Sequence, residues 1–297
     1  MKGIIKKFLL TASMVAGISA ITSNAASAFT LFGSDYLLYE SDGTNTFVNQ
    51  SADLNSILIG NKINPGGNVE LAASSEQVGF DFSQATSLIG EIGGKIITLS
   101  SLTATDWFGA GNTTTVYGAD NFANRWFNSV LAAYNFDSLV SQIPMLNLLS
   151  PTSIKGTLFN SFLNSGGFQR ASDPNISYVN HVGNEIAIGL AGHFNLDNQI
   201  SSFFQANGLG AYTAFLPQNV QLSEVVKVNY NGESALLSSL SATESGQFEL
   251  GDGISHNGNY EIKLAGAAST SVPEPASIFG LMVVGGIFAT RRKQQTA

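Results

Sequence analysis

The sequence contains no cysteine. No disulfide can staple the fold, and thiolate sites for zinc or iron–sulfur clusters are excluded. Stability must therefore rest on packing. Charge is scarce as well, with 11% of residues Asp, Glu, Lys or Arg. Long solvated helices laced with ion pairs need more than that. Histidine occurs three times, at His181, His193 and His256, and tryptophan twice, at Trp107 and Trp126. Neither an HExxH nor a G-x-S-x-G segment is present, so the common zinc-protease and serine-hydrolase signatures are missing. What is plentiful is glycine, with 31 residues, together with Ser, Thr and Asn. That composition favours turns and short strands over long helices.

Nearly half of the few basic residues lie at the two ends. Lys2, Lys6 and Lys7 precede a mostly apolar or small stretch from Phe8 to Ile21, and Ala26 and Ala28 then flank Ser27. Positive start, apolar middle and A-x-A site come in the order of a secretory signal peptide. The expectation is a signal peptide over 1–28, cut by signal peptidase to leave Phe29 as the mature N-terminus. At the other end, Ser277 to Thr290 is an apolar run of about 14 residues, about 21 Å as a helix. A comfortable membrane span takes about 20 residues. Arg291, Arg292 and Lys293 follow directly. Basic residues favour the cytoplasmic side, so the body is expected outside and the tail inside. Just before the run, Pro273 and Pro275 bracket Glu274. Two prolines remove two amide donors and hold the chain extended.

Pro273-Glu274-Pro275, the short apolar helix and the Arg291-Arg292-Lys293 stop together resemble a PEP-CTERM sorting signal. The resemblance covers 272–297 alone and concerns address rather than activity. It implies a membrane partner, an exosortase-type enzyme that reads the tripeptide. It also implies a bacterial host that makes extracellular polysaccharide. The precursor would pass through the inner membrane, and the mature form would lie at the cell surface or outside the cell.

Between the two signals, Phe29 to Ser271 holds seven basic residues against 20 acidic ones, a formal net charge of −13 where the whole chain has −8. Such a surface disfavours nucleic acid and anionic membranes as partners. It tolerates cations and neutral sugars, and extracellular polysaccharide is the expected ligand class if there is one. The expected fold is α+β: about 29–118 β-rich, 119–167 helical, 168–265 mixed, and 266–271 a small-residue linker. Tyr36–Tyr39 and Thr46–Val48 read as a hairpin around Ser41-Asp42-Gly43, and Val78–Phe82 and Lys95–Leu99 as further strands. Asp120 is expected to cap a helix carrying Phe122, Trp126, Val130 and Tyr134 on one face. A second helix is expected from Asp137, and a third from Pro151 to the Gly166-Gly167 stop. Ile176–Val182, Ile186–Leu190, Val225–Tyr230, Phe248–Leu250 and Tyr260–Leu264 read as strands, with a hairpin turn at Asn231-Gly232 leading into a strand from Glu233 and another turn at Asn257-Gly258. A helix is expected from Asn195 or Asp197 to Asn207-Gly208.

No catalytic residue is expected. His181 and Glu185 would share a helix face, but the glycines and alternating isoleucines around them point to strand, where residues four apart lie about 13 Å apart. No metal site is expected there. The acidic loops Asp35–Asp42 and Gly251-Asp252-Gly253 have the donors calcium takes, without full calcium-loop spacing, so calcium remains the alternative to having no cofactor. The densest unusual segment runs from Gly166 to Asn180. There Arg170, Asp173, Asn175 and Tyr178 supply the aromatic, amide and carboxylate mix that a sugar site uses. The competing role for the same segment is a helix-to-strand connection. The sequence thus points to a structural or binding protein of the cell surface or matrix. The alternatives are a secreted hydrolase of envelope or matrix polysaccharide and a calcium-assisted carbohydrate-binding module.

Overall fold

The structure is a computed structural model and describes residues 27–112, 114–142, 150–183 and 185–265. The expected sorting tail, the expected linker and the expected signal peptide up to Ala26 lie outside the described residues. Those described form an α+β fold of two β-sheets and a helical layer. None of their helices is long and apolar enough to cross a membrane.

The smaller sheet is antiparallel, in the order β1 (Ser27–Phe32), β5 (Ser87–Ile92), β6 (Lys95–Ser100), β9 (Val226–Tyr230) and β10 (Glu233–Leu237). The larger runs β11 (Ala242–Glu244), β13 (Gly258–Ala265), β8 (Glu185–Gly192), β7 (Asn175–Val182), β4 (Gly67–Leu71), β2 (Tyr36–Ser41), β3 (Asn45–Val48) and β12 (Phe248–Glu249). All its pairs are antiparallel except β12 on β3. Period-two alternation sends Leu88, Ile92, Ile97, Leu99, Val226 and Val228 of the smaller sheet into one core. Leu38, Val69, Ile176, Ile188 and Ile262 of the larger sheet join them there.

The larger sheet cannot be flat. Its two edge strands, β11 and β12, are separated in sequence only by residues 245–247. Four residue steps reach about 14 Å at most, whereas seven strand spacings in a flat sheet come to about 34 Å. The sheet curls until its edges meet. Gln247 donates to the Pro65 carbonyl at 2.7 Å, and the His256 ring bonds Thr46 of β3 at 2.7 Å. The segment 245–257 thus closes over the sheet face that carries Thr46.

A short helix, α1 (Leu54–Ile57), follows β3, and between β6 and β7 the chain makes the helical layer: α2 (Ala104–Phe108), α3 (Phe122–Ala133), α4 (Phe136–Ser141), α5 (Pro151–Asn164) and α6 (Gly167–Arg170). Its own core packs Trp107, Trp126, Phe127, Phe159 and Phe168, with Leu102 and Val225 linking it to the sheets. Both tryptophans are buried, Trp126 at 6% exposure. The helices expected at Phe122, Asp137 and Pro151 are all present. Asn121, rather than Asp120, caps α3 by accepting from the Asn124 amide at 2.9 Å, while Asp120 pairs with Arg125 at 2.9 Å.

The strand expected at Val78–Phe82 is absent. Gly79 has φ +93, Val78 is fully exposed, and Asp81 accepts from the Ser83 amide and hydroxyl to make a turn. The alternation of Val78, Phe80 and Phe82 mimicked a strand without a neighbour to pair. The strands β1, β4, β5 and β11 were not expected. Two of them hold glycines with a packing reason. Gly90 lets the Phe29 ring lie directly on β5, where any Cβ would collide with it.

Candidate functional site

Strand alternation gives the larger sheet a second, polar face. Tyr39, Asn68, Glu70, Asn175 and Asn259 point away from the core, as the cross-strand partners Tyr39–Asn68, Glu70–Asn175 and Asn175–Ala191–Asn259 require. A register shift between Ile176 and Tyr178 makes Ser177 an extra residue. Its hydroxyl donates to Asn259 Oδ1 at 3.1 Å, and Tyr178 donates to Glu261 at 3.0 Å. Because the sheet curls and 245–257 covers it, this face is largely buried. Asn68 and Asn259 are each 1% exposed. Asn68 Nδ2 meets His256 Nδ1 at 3.2 Å, and the Tyr39 ring stands edge-on to His256 at 4.7 Å. Burial pushes the His256 pKa down to about 4, so the ring is neutral at physiological pH.

At one end of this face the carboxylates crowd together. Asp173 accepts from the Ser75 hydroxyl, Glu70 from the Tyr39 hydroxyl at 3.3 Å, and Glu224 from the Asn175 amide at 3.3 Å. Burial above all raises all three, Asp173 well above its ordinary value, Glu70 to about 7 and Glu224 to about 8. It is helped by Glu224 and Glu70 acting on Asp173, by Glu70 acting on Glu224, and by Glu249, Glu76 and Asp35 acting on Glu70. Four buried atoms on or beside this face have no hydrogen-bond partner: Asn68 Oδ1, Asp173 Oδ1, Asn175 Oδ1 and Asn259 Nδ2. Among the described residues no three His, Asp or Glu side chains are grouped as a metal ion would need.

Of the sugar-site candidates read from Gly166 to Asn180, Asp173 and Asn175 come together around Glu224, both buried. Arg170 leaves them to pair with Glu76 at 3.1 Å on the surface. Tyr178 is buried across β8, its ring filling the space that a Cβ on Gly189 would take. The segment is a helix-to-strand connection in which polar side chains are bonded inwards. The acidic loops are turns. Asp42 accepts from the Thr44 and Asn45 amides at 2.8 and 2.7 Å, and Asp252 from the Ile254 and Ser255 amides at 2.8 and 2.9 Å. His181 and Glu185 lie on the β7–β8 hairpin, where their cross-strand partners are Ile186 and Val182.

A surface cavity of about 350 Å³ opens elsewhere, at the start of α7 (Asp197–Ala206), where β8 leads into that helix beside the turn before β13. Its wall includes His193, Asn198, Gln199, Ile254 and Asn257. The Phe194 amide donates to Asn257 Oδ1 at 2.6 Å, which fixes that side chain with its Nδ2 unpartnered among the described residues. Gln199 Nε2 lies 3.1 Å from His193 Nδ1, and Gln199 Oε1 is buried without a partner. Asp197 is spent on structure, accepting from the Asn219 and Val220 amides at 2.8 and 2.9 Å. Burial lowers the His193 pKa against the opposing pull of Asp252 and Glu76, so the imidazole is neutral at physiological pH.

Sequence reading names His193 only as one of three histidines and gives no site role to it, Asn198, Gln199 or Asn257. The signal available was the amide density of Asn195 to Gln199, which read as a helix start, and Asn257-Gly258, which read as a turn. No protein-family model, curated protein or solved structure matches the chain.

Proposed function

We propose that this chain is an exported bacterial cell-surface or extracellular-matrix protein, sorted by an exosortase-type membrane enzyme, whose body holds a partner rather than transforming one. The observation that carries the reading is the ordered tail: Pro273-Glu274-Pro275, an apolar run too short for an easy span, then Arg291-Arg292-Lys293. The Lys2–Lys7 start and the Ala26 and Ala28 site supply the export that such a tail requires. In the body, amides dominate the polar groups of the cavity at α7. Amides hold a ligand by hydrogen bonds and move no proton at neutral pH. The test is the intact mass of the protein recovered from the surface of the producing bacterium. A mass lacking residues 276–297 supports sorting, and a mass that includes them rejects it.

One observation favours a second reading, a hydrolase of matrix polysaccharide. Glu70 and Glu224, raised to about 7 and about 8, have the protonation of general acids. Release of reducing ends from host polysaccharide that disappears in Glu224→Gln would establish it, and equal release by both proteins would dismiss it.

A further inference from the structure

We propose that the cavity at the start of α7 is a subsite for one or two neutral sugar residues of a polysaccharide, bound through His193, Asn198, Gln199 and Asn257. The inference rests on the reading of the chain as an exported binding protein and adds the ligand class and its place.

The first argument is the Gln199 amide. With Nε2 towards His193 Nδ1, as placed, Oε1 is buried without a partner. Rotating the amide so that its oxygen accepts from an Nδ1 proton would leave the NH2 group in that buried position instead. Either orientation orphans one buried polar atom, and such atoms are costly unless something beyond the protein meets them. In the placed orientation Nδ1 accepts, so the neutral imidazole carries its proton on Nε2 and offers a donor. Nε2 has no partner among the described residues. Asn257 Nδ2 is a second donor, fixed because its Oδ1 already takes the Phe194 amide. Asn198 is exposed, lines the same cavity and adds both a donor and an acceptor. The set therefore mixes donors and acceptors at close quarters, which suits hydroxyl groups that serve as both.

The second argument is charge. Asp197 is in the wall, Asp252 faces His193, and the body carries a net −13. A uronate or sulfate group would be repelled, and the wall has no Lys or Arg to receive it. The third is size and shape. A cavity of about 350 Å³ is at the small end of ligand sites, enough for one or two hexoses. Ile254, 51% exposed on its rim, offers an apolar surface to the C–H face of a pyranose ring.

The experiment titrates the full-length protein with cellotriose, maltotriose and laminaritriose, using trigalacturonate as the charged control. At least one neutral trisaccharide should bind, and trigalacturonate should bind about tenfold more weakly or worse. Asn198→Ala and Gln199→Leu should each weaken binding about three- to tenfold, the worth of one neutral hydrogen bond. Asn198 is exposed, so Asn198→Ala should leave the unfolding midpoint unchanged and separates binding from folding. The proposal is overturned if no neutral trisaccharide binds, if trigalacturonate binds equally well, or if Asn198→Ala leaves the affinity unaltered. Sugar binding by a protein whose surface form keeps residues 276–297 would sink the sorting reading and spare the subsite. Correct sorting with no sugar binding would do the reverse.

Discussion

Glu224 and Glu70 stand out at the residue scale because burial raises their pKa values to about 8 and about 7. A carboxyl whose folded pKa is raised from 4.5 to about 7 or 8 keeps its proton where the unfolded chain has lost it. Stability then falls as pH rises from about 4.5 to about 8. The buried histidines act in the opposite sense. His256 is lowered from 6.5 to about 4, so stability is lost as pH falls from 6.5 towards 4. The two effects oppose each other below about 6.5, and only the carboxylates act above it. Because two raised carboxyls oppose one lowered imidazole, the unfolding midpoint should already decline from about pH 5 and continue to about pH 8, and Glu224→Gln should flatten that decline. Identical declines in both proteins would show that Glu224 ionises normally. Trp126 gives a second residue-scale prediction. It packs against Trp107 at 5.2 Å and Phe162 at 6.0 Å. Trp126→Ala should cost about 3–5 kcal/mol in chemical denaturation, and a loss below about 1 kcal/mol would mean that the helical core does not depend on it.

At the scale of elements, short pieces are held by specific side chains because few are long enough to stand alone. The helix α2 has five residues. Thr103 accepts from the Asp106 amide at 3.3 Å, Asp106 accepts from the Thr103 amide at 2.9 Å, and Lys227 of β9 reaches Asp106 at 2.7 Å. This reciprocal cap ties the helical layer to the smaller sheet. Thr103→Ala should lower stability by about 1 kcal/mol, measured by urea titration, and no change would mean that the cap is redundant. On β8, Gly189 lies under the Tyr178 ring. Gly189→Ala forces the ring or the strand aside and should cost about 1–3 kcal/mol. An unaltered melt would show that the bulge at Ser177 can absorb the methyl group.

For the whole molecule, the described body has two cores, and the proposed sorting tail lies outside it. Replacing Pro273 and Pro275 by Ala restores two amide donors and frees the chain to turn, while leaving the apolar run and Arg291-Arg292-Lys293 intact. The unprocessed form should then accumulate in the inner membrane, read as full-length protein in fractionated cells. Normal surface recovery of the double variant would show that the prolines do not mark the cleavage segment.

Local patterns were legible in the sequence by itself. The amphipathic row through Phe122 and Trp126, the Pro151 start, and the Asn231-Gly232 hairpin are each set by neighbours within a few residues, and the structure keeps them. Composition likewise settled the absence of disulfides and the acidity of the body. The Val78–Phe82 pattern failed because alternation marks a strand only where another strand is free to pair with it. The closing of the larger sheet, the burial of its polar face and the raised Glu70 and Glu224 belong to the tertiary structure. The closure and the burial arise where 245–257 folds over residues nearly 200 positions earlier, and no local period encodes that contact. The cavity at α7 is of the same kind. His193 and Asn257 become neighbours through the β8–β13 pairing, so their shared chemistry exists only once those strands are side by side.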